Sequence, residues 1–299
     1  MRRRLFIALA CALTAVGCHA PPQVERILYV TTIHPLGAIL TELVGDRGEV
    51  KVLLPPAASP HTYDPRPSDA MAAESALAVF YVAEDIDGWA ARLPAKARFA
   101  VFSYVPNADR LVYEEHGGHD DHADDGHVHT SGYNGHFWSD PRIVNEMLPA
   151  LAGKLTELDP AGLEVYRYNA SRFSAELSEL DRKMTAMFAG LEDRPVLMFH
   201  PSWDYFMHRY KLAVAGMVEP FPGKEPTPRY VDELVAKAKA QDVRAVFTEP
   251  QLPKRPAQAI AEACNLPLFE IDPNGGVEGR KTYVELIEYN AGMLKKAIE

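Results

Sequence analysis

The segment AGLEVYRYNASRFSAELSELDRKMTAMFAGL, residues 161–191, is the longest periodic stretch of the chain. Its apolar residues recur every three or four positions, which is the spacing of one helix face. They are Leu163, Tyr166, Ala170, Phe173, Leu177, Leu180, Met184, Met187 and Leu191. About 30 residues of helix span roughly 45 Å, so the pattern predicts a rod that can join two lobes. The alternative is the seam of a coiled-coil dimer.

Strand-like and helical segments alternate on both sides of this helix. Strand patterns occupy residues 27–32, 49–54, 77–83 and 99–104 before it, and 195–199, 212–218, 243–248 and 266–271 after it. Such alternation is typical of parallel sheets covered by helices. The 299 residues are therefore predicted to form an α/β protein. Its two parallel-sheet lobes, at 25–160 and 195–299, would be joined by a long rigid helix over 161–191.

The N-terminus is predicted to be an export signal over residues 1–18. Three arginines at positions 2–4 precede an apolar run at 5–16 that is too short to span a bilayer comfortably. The following AVGC resembles a bacterial lipobox, which makes Cys18 the candidate lipidated first residue of the mature protein. Ordinary cleavage near Ala20 is the alternative.

Charge and cysteine content narrow the class of partner and of metal site. Removal of the signal takes three arginines from the 31 basic residues and none of the 41 acidic ones, which leaves a formal net charge of −13. This balance argues against nucleic acid or an anionic membrane surface and agrees with a cation as ligand. Beyond the signal only Cys264 remains, so a metal site would be built from histidine and carboxylate.

A histidine-rich stretch interrupts the first lobe at residues 114–136, EEHGGHDDHADDGHVHTSGYNGH. It has no hydrophobic period that a packed core could use. Its imidazoles and carboxylates are the groups that bind divalent metals such as zinc. The loop, over 114–135, is predicted to capture metal with His116, His119, His122, His127 and His129. A merely solvated loop or a pH-sensitive segment is the alternative.

Four other residues share a position just past a predicted strand or in a strand-to-helix connection. They are His61, His136, His200 and Asp272. In open α/β sheets, ligands gather outside the carboxyl ends of the strands. Two of the four come from each lobe, so an ion bound by all of them would lie in the cleft, and three imidazoles with one carboxylate suit tetrahedral Zn²⁺.

Each of these residues also has an ordinary structural reading. His61 could cap the helix that begins near Pro67, and His200 could be the N-terminal cap before Pro201. Asp272 before a proline is a common turn residue. Sequence spacing alone leaves these alternatives open.

Several phrases carry a resemblance to a known family. They are HPLGAIL (34–40), VLLPPAASPHTYDPRPSD (52–69), the histidine-rich insertion, GHFWSDPR (135–142), FHPSWDYF (199–206), TEPQ (248–251) and IDPNGG (271–276). In this order they span nearly the whole mature chain. The chain resembles the zinc-type substrate-binding proteins of bacterial metal ABC transporters, the cluster A-I metal-binding receptors.

The resemblance implies metal ligands at His61, His136 and His200, with Asp272 at the C-terminal carboxylate position. Glu249 in TEPQ is a reserve ligand or a partner of a ligand; a salt-bridged strand end is the alternative. Manganese members commonly carry Glu where this chain has His200, and nitrogen ligands favour zinc over manganese. His34 is expected near the cleft in a structural role.

The function implied is that of a periplasmic or extracytoplasmic zinc receptor that delivers Zn²⁺ to an ABC import permease. It would be a monomer, with no nucleic-acid partner and with membrane contact only through a lipid anchor on Cys18. The alternatives are a manganese or iron receptor of the same family, a metal storage or chaperone protein, and an exported zinc hydrolase with Glu249 as general base.

Overall fold

The computed structural model describes residues 26–113 and 132–299. The predicted export signal, with Cys18, lies outside the described residues. So do the five loop histidines predicted to capture metal, which are His116, His119, His122, His127 and His129.

The N-terminal lobe is built on a four-stranded parallel sheet with the strand order β2-β1-β3-β4. Its strands are β1 (Ile27–Thr31), β2 (Gly48–Val52), β3 (Ala78–Tyr81) and β4 (Arg98–Ala100). Its helices are α1 (His34–Val44), α2 (Pro67–Ser75) and α3 (Glu84–Asp87). The order changes direction beside β1, so the strand ends next to β1 border a crevice where ligands bind in such sheets.

Two antiparallel helices follow the first lobe. Helix α4 spans Pro141–Leu158, and its N-cap Asp140 accepts hydrogen bonds from the backbone amides of Arg142 and Ile143. Helix α5 spans Leu163–Phe188. With 26 residues at a rise of 1.5 Å each, α5 is about 39 Å long.

The C-terminal lobe repeats the topology of the first, with the strand order β6-β5-β7-β8 and parallel pairing throughout. Its strands are β5 (Val196–Met198), β6 (Val214–Met217), β7 (Val246–Thr248) and β8 (Leu268–Glu270). Its helices are α6 (Asp204–Arg209), α7 (Pro228–Ala240), α8 (Arg255–Cys264) and α9 (Tyr283–Ile298). The two lobes therefore share an architecture although the sequence shows no clear repeat.

The apolar stripe of α5 is buried against both lobes. The Tyr166 hydroxyl lies 3.1 Å from that of Tyr29 on β1, and the Phe173 ring meets Tyr283 of α9 edge-on at 6.2 Å. Leu177 is fully buried. The predicted architecture of two α/β lobes joined by a long helix is confirmed, and the coiled-coil alternative is not needed because the stripe is covered within the chain.

Most observed strands are shorter than the predicted segments, and the last strand of the first lobe differs most. The segment 99–104 is a strand only as far as Ala100, and a 3-10 turn then covers Val101–Tyr104. The Phe102 amide still donates to the Val82 carbonyl at 3.0 Å, so the turn stays attached to the sheet. It directs the Val101 and Phe102 side chains into the core. The apolar residues that resembled a strand are therefore explained by core packing.

Within the described residues, no helix has both the length and the apolar character needed to cross a membrane.

Candidate metal centre

Three of the four predicted ligands meet between the lobes. One nitrogen from each of His61, His136 and His200 lies within 4.8 Å of the other two. The Nε2 atom of His136 is central: it lies 3.2 Å from Nε2 of His61 and 3.3 Å from Nε2 of His200. Among residues 26–113 and 132–299, this is the one group of three or more His, Cys, Asp or Glu side chains arranged so closely.

His61 lies in the loop between β2 and α2 and is half-buried, whereas the other two histidines are buried. The indole of Trp89 holds this loop by donating from Nε1 to the Pro60 carbonyl at 3.0 Å. The main-chain anchor is thus one residue away from His61. His61 does not begin α2, which starts six residues later at Pro67.

Asn134 fixes the orientation of His136. Its Oδ1 lies 2.7 Å from Nδ1 of His136 and also accepts from the His136 amide at 2.9 Å. An amide oxygen can only accept, so Nδ1 carries the proton and Nε2 presents its lone pair. The Nδ2 group of Asn134 donates across the cleft to the Pro201 carbonyl at 2.8 Å. The buried Asn134 side chain therefore holds His136 and also bonds to the segment of the other lobe that contains Pro201.

Glu249 fixes His200 in the same way. His200 lies two residues past the end of β5, and Glu249 directly follows β7. Because these two strands are paired, the two side chains lie together at one edge of the sheet. Nδ1 of His200 lies 2.8 Å from the carboxylate, whose Oε1 also accepts from the Ser202 hydroxyl at 2.8 Å. Glu249 is fully buried, and a carboxylate on Nδ1 leaves the Nε2 lone pair of His200 directed at the cluster.

Converging lone pairs make the cluster a cation site. With Nδ1 of His136 and of His200 committed to acceptors, their Nε2 atoms face each other at 3.3 Å as two acceptors. Such an arrangement is repulsive unless a proton or a metal cation lies between the nitrogens. The cluster is therefore suited to hold a metal ion.

Asp272 is not brought into this group. Its Oδ1 accepts from Nε2 of Gln251 at 2.7 Å and from the amides of Asn274 and Gly275 at 3.1 and 3.0 Å. Its Oδ2 lies 2.9 Å from a guanidinium nitrogen of Arg280. The residue predicted as the fourth ligand thus has both oxygens engaged elsewhere.

A cavity of about 10 Å³ lies among the three histidines, lined also by Trp138, Glu249 and Gln251. That is room for one water-sized sphere, which suits an ion and not an organic substrate. A larger cavity, about 210 Å³, lies beside His34 and the 52–56 segment. The ring of His34 is already engaged with the Lys281 carbonyl at 2.7 Å, in agreement with a structural role.

A second buried acid, Glu219, lies near the cluster. Burial raises the pKa of Glu219 to about 7, while the hydrogen bond from the Gly223 amide and the proximity of His200 act in the opposite direction. With a pKa near 7, the Glu219 carboxyl is partly protonated at neutral pH, and a cation bound nearby would favour its charged form.

Three residues around the site were not predicted from the sequence. They are Asn134, Glu219 and Gln251. Two of them stand two residues from a predicted site residue, Asn134 before His136 and Gln251 after Glu249. This proximity was the only sequence signal for them. Spacing alone does not show which polar neighbour of a site residue points toward the site.

The comparisons with known proteins agree with this geometry. The model of a family described as zinc-uptake complex component A, periplasmic, matches residues 30–297. The high-affinity zinc uptake system protein ZnuA of Yersinia pestis is 27% identical, with 96% of each chain covered. The manganese-binding lipoprotein MntA of Halalkalibacterium halodurans is 28% identical, with 95% of this chain and 94% of the relative covered.

A solved structure shows the same fold. The Zn(II)-bound structure of a mutant variant of AdcAII from Streptococcus pneumoniae superposes with a TM-score of 0.78 at 24% identity, covering 92% of this chain and 99% of that one. Members of the matching family are periplasmic solute-binding receptors and not enzymes. The chain therefore belongs to the ZnuA family of metal-binding receptors of ABC importers.

Proposed function

We propose that this protein is a zinc receptor that binds one Zn²⁺ with His61, His136 and His200 and delivers it to the permease of an ABC importer. The observation that carries the proposal is the spacing of the three Nε2 atoms, 3.2 and 3.3 Å from the central one. Zinc–imidazole bonds of about 2.0–2.1 Å in a tetrahedral shell separate neighbouring ligand atoms by roughly 3.3–3.4 Å. Two of the three nitrogen–nitrogen distances in the cluster thus match those of a zinc site, and the third is within 4.8 Å.

The donor set supports zinc over manganese. Imidazole nitrogen suits zinc, whereas manganese prefers carboxylate, carbonyl and water oxygen. The similarity to a manganese-binding lipoprotein keeps a manganese receptor as the second candidate. Three imidazoles without a carboxylate in the group favour zinc.

Glu249 is proposed as the partner of a ligand, not as a ligand. Its carboxylate accepts from His200 and from Ser202, which orients the imidazole and makes Nε2 a better donor. The same engagement counts against Glu249 as the general base of a hydrolase, because its oxygens face the Nδ1 side of His200.

The remaining parts of the proposal concern segments that the structure does not describe. The loop histidines would collect Zn²⁺ near the cleft and pass it to the three-histidine site. Cys18 would carry a lipid that keeps the receptor, as a monomer, at the outer face of the membrane beside its permease. Fractionation of a Cys18→Ser variant tests this anchor, since the variant should move from the membrane to the soluble extracytoplasmic fraction.

Metal titration of purified variants tests the site. Competition against a chelator of known zinc affinity should give one tight equivalent for the wild type and none for His61→Ala. The matched control is His208→Ala, which removes an exposed histidine on α6 and should retain the tight equivalent. Deletion of residues 116–129 should remove only weak equivalents. Loss of the tight equivalent on that deletion, or a manganese preference in competition, would contradict the proposal.

A further inference from the structure

The carboxylate of Asp272 is held in place by its surroundings and not by the histidine cluster. Gln251 and two backbone amides donate to Oδ1, and Arg280 pairs with Oδ2 at 2.9 Å. Asp272 is 2% exposed. To ligate an ion, this carboxylate would first have to give up contacts that a buried anion needs.

Arg280 depends on Asp272 just as strongly. Its side chain is 17% exposed, and its guanidinium carbon lies 4.3 Å from the centre of the Tyr289 ring. Among the described residues, neither Nε nor Nη1 of Arg280 has a well-directed hydrogen bond. The 2.9 Å contact to Asp272 is therefore chiefly an ion pair, and with the Tyr289 face it is what compensates the buried charge.

Gln251 connects this pair to the histidine cluster. It lines the small cavity together with His61, His136 and His200, and its Nε2 donates to Asp272. Its Oε1 is buried and has no hydrogen-bond partner among the described residues. A neutral amide thus stands at the cavity wall, where the predicted fourth ligand would have supplied a carboxylate.

We infer that Arg280 determines the metal specificity of the site by holding the Asp272 carboxylate away from the three histidines. The ion then meets imidazole nitrogens and neutral oxygen only. That set disfavours manganese, whose preference is for anionic oxygen, much more than it disfavours zinc. This inference rests on the proposed function, since it concerns the same site.

The decisive variant is Arg280→Met, which keeps the length and apolar stem of the side chain and removes its charge. Without Arg280, the Oδ2 atom of Asp272 loses its partner and becomes available to the ion, while Oδ1 keeps its three hydrogen bonds. Manganese affinity should then rise relative to zinc affinity by about tenfold or more, the size of effect expected for residues that act through a ligand. Arg229→Met, on the exposed face of α7 where Arg229 pairs with Glu233, is the matched control and should leave the ratio unchanged.

The double variant Arg280→Met/Asp272→Asn tests the route of the effect. Because the gain in manganese affinity is assigned to the Asp272 carboxylate, the double variant should return to the zinc-to-manganese ratio of the wild type. An unchanged ratio in Arg280→Met, or a gain that survives in the double variant, overturns the inference.

If Arg280→Met fails to fold, the single variant Asp272→Asn tests whether the Asp272 carboxylate binds the ion. The Asp272 backbone is held by Asn290, whose Oδ1 accepts from the Asp272 amide and whose Nδ2 donates to its carbonyl, each at 2.8 Å, so the turn should persist. Zinc affinity should stay close to that of the wild type. A loss as large as that of His61→Ala would show that Asp272 is a ligand and overturn the inference.

These outcomes are separable from a failure of the proposed function. If the wild type lacks a tight zinc equivalent that depends on His61, the proposed function fails. If that equivalent is present but the Asp272 or Arg280 variants give one of the overturning results, only the inference about specificity fails.

Discussion

Nδ1 of His200 lies 2.8 Å from the carboxylate of Glu249, and this contact orients the ring so that its Nε2 atom faces the other two histidines. The two side chains meet because β5 and β7 are neighbours in the sheet. Orientation by a carboxylate fixes the tautomer of His200 and increases the electron density on Nε2.

The first prediction follows from this contact. Glu249→Gln keeps the size of the side chain but removes the negative charge, so Nε2 of His200 becomes a poorer donor. Zinc affinity should fall by about 10- to 100-fold, as measured by competition with a chelator. The matched control is Ser202→Ala, which removes the other hydrogen bond to the same carboxylate without touching His200. Equal losses in the two variants would mean that the negative charge of Glu249 is unimportant for zinc binding by His200.

The second prediction concerns Asn134, which positions His136 and the segment after His200. Asn134→Ala removes the acceptor at Nδ1 of His136 and the donor to the Pro201 carbonyl. Zinc affinity should fall by about tenfold or more, since outer partners of metal-bound histidines typically have effects of this size.

The unfolding free energy of this variant should also fall by about 1–3 kcal/mol, because buried polar groups lose their partners. Asn145→Ala is the control, because Asn145 bonds to Ser178 on α5, away from the site. Isothermal titration and thermal unfolding measure the two effects separately. Unaltered zinc binding by Asn134→Ala would count against the positioning role.

The third prediction uses two helical glycines in contrasting surroundings. A Cβ added at Gly37 in α1 would overlap Cγ2 of Val52 on β2, whereas one added at Gly153 in α4 would meet no atom within 4 Å. Gly37→Ala should destabilise the protein by about 1–3 kcal/mol through overpacking. Gly153→Ala should stabilise it by about 0.5–1 kcal/mol, since alanine loses less entropy in a helix. Chemical denaturation of both variants checks the opposite signs.

The fourth prediction is a pH dependence of stability centred on Asp159. Arg47 donates to both carboxylate oxygens at 2.7 and 2.9 Å, and Tyr166 donates at 2.8 Å. The Arg47 hydrogen bonds are the main reason why the pKa of Asp159 lies below its ordinary value of 3.8. A lowered folded-state pKa gives stability that is complete above the ordinary value and is lost as pH falls through the folded-state value.

Asp159→Asn should therefore lower the melting temperature at neutral pH and flatten its decline toward about pH 3. Asp46→Asn, at an exposed position beside Arg47, is the control and should leave the acid branch of the curve unchanged. If the melting temperature of Asp159→Asn still falls toward acid pH as steeply as that of the wild type, Asp159 is not a source of the pH dependence.

Periodicity and strand-end position predicted most of the fold and three of the candidate ligands. The stripe of α5 and the eight strand patterns are local signals, and His61, His136 and His200 were singled out because each lies past a strand pattern or in a strand-to-helix connection. The arrangement of Asp272 could not be predicted in this way. Its partners Arg280 and Gln251 lie 8 and 21 residues away, and only the packing of loops after β7 and β8 brings them together.

Asn134 escaped prediction for a related reason. It stands in a glycine-rich stretch, GYNGH, where an exposed turn is the default expectation. Its burial depends on the opposite lobe, because Pro201 supplies the acceptor for its amide. Residues whose role is to join two lobes give little signal in either lobe alone.

The unequal burial of the three histidines has a consequence for the order of events during unloading. His136 and His200 are buried and are each held at Nδ1 by a buried partner, whereas His61 is half-buried on a loop. In the proposed zinc complex, a competing donor that approaches from solvent would therefore reach the bond to His61 before the other two. Transfer to an acceptor would proceed one bond at a time, and the bonds to His136 and His200 would break last.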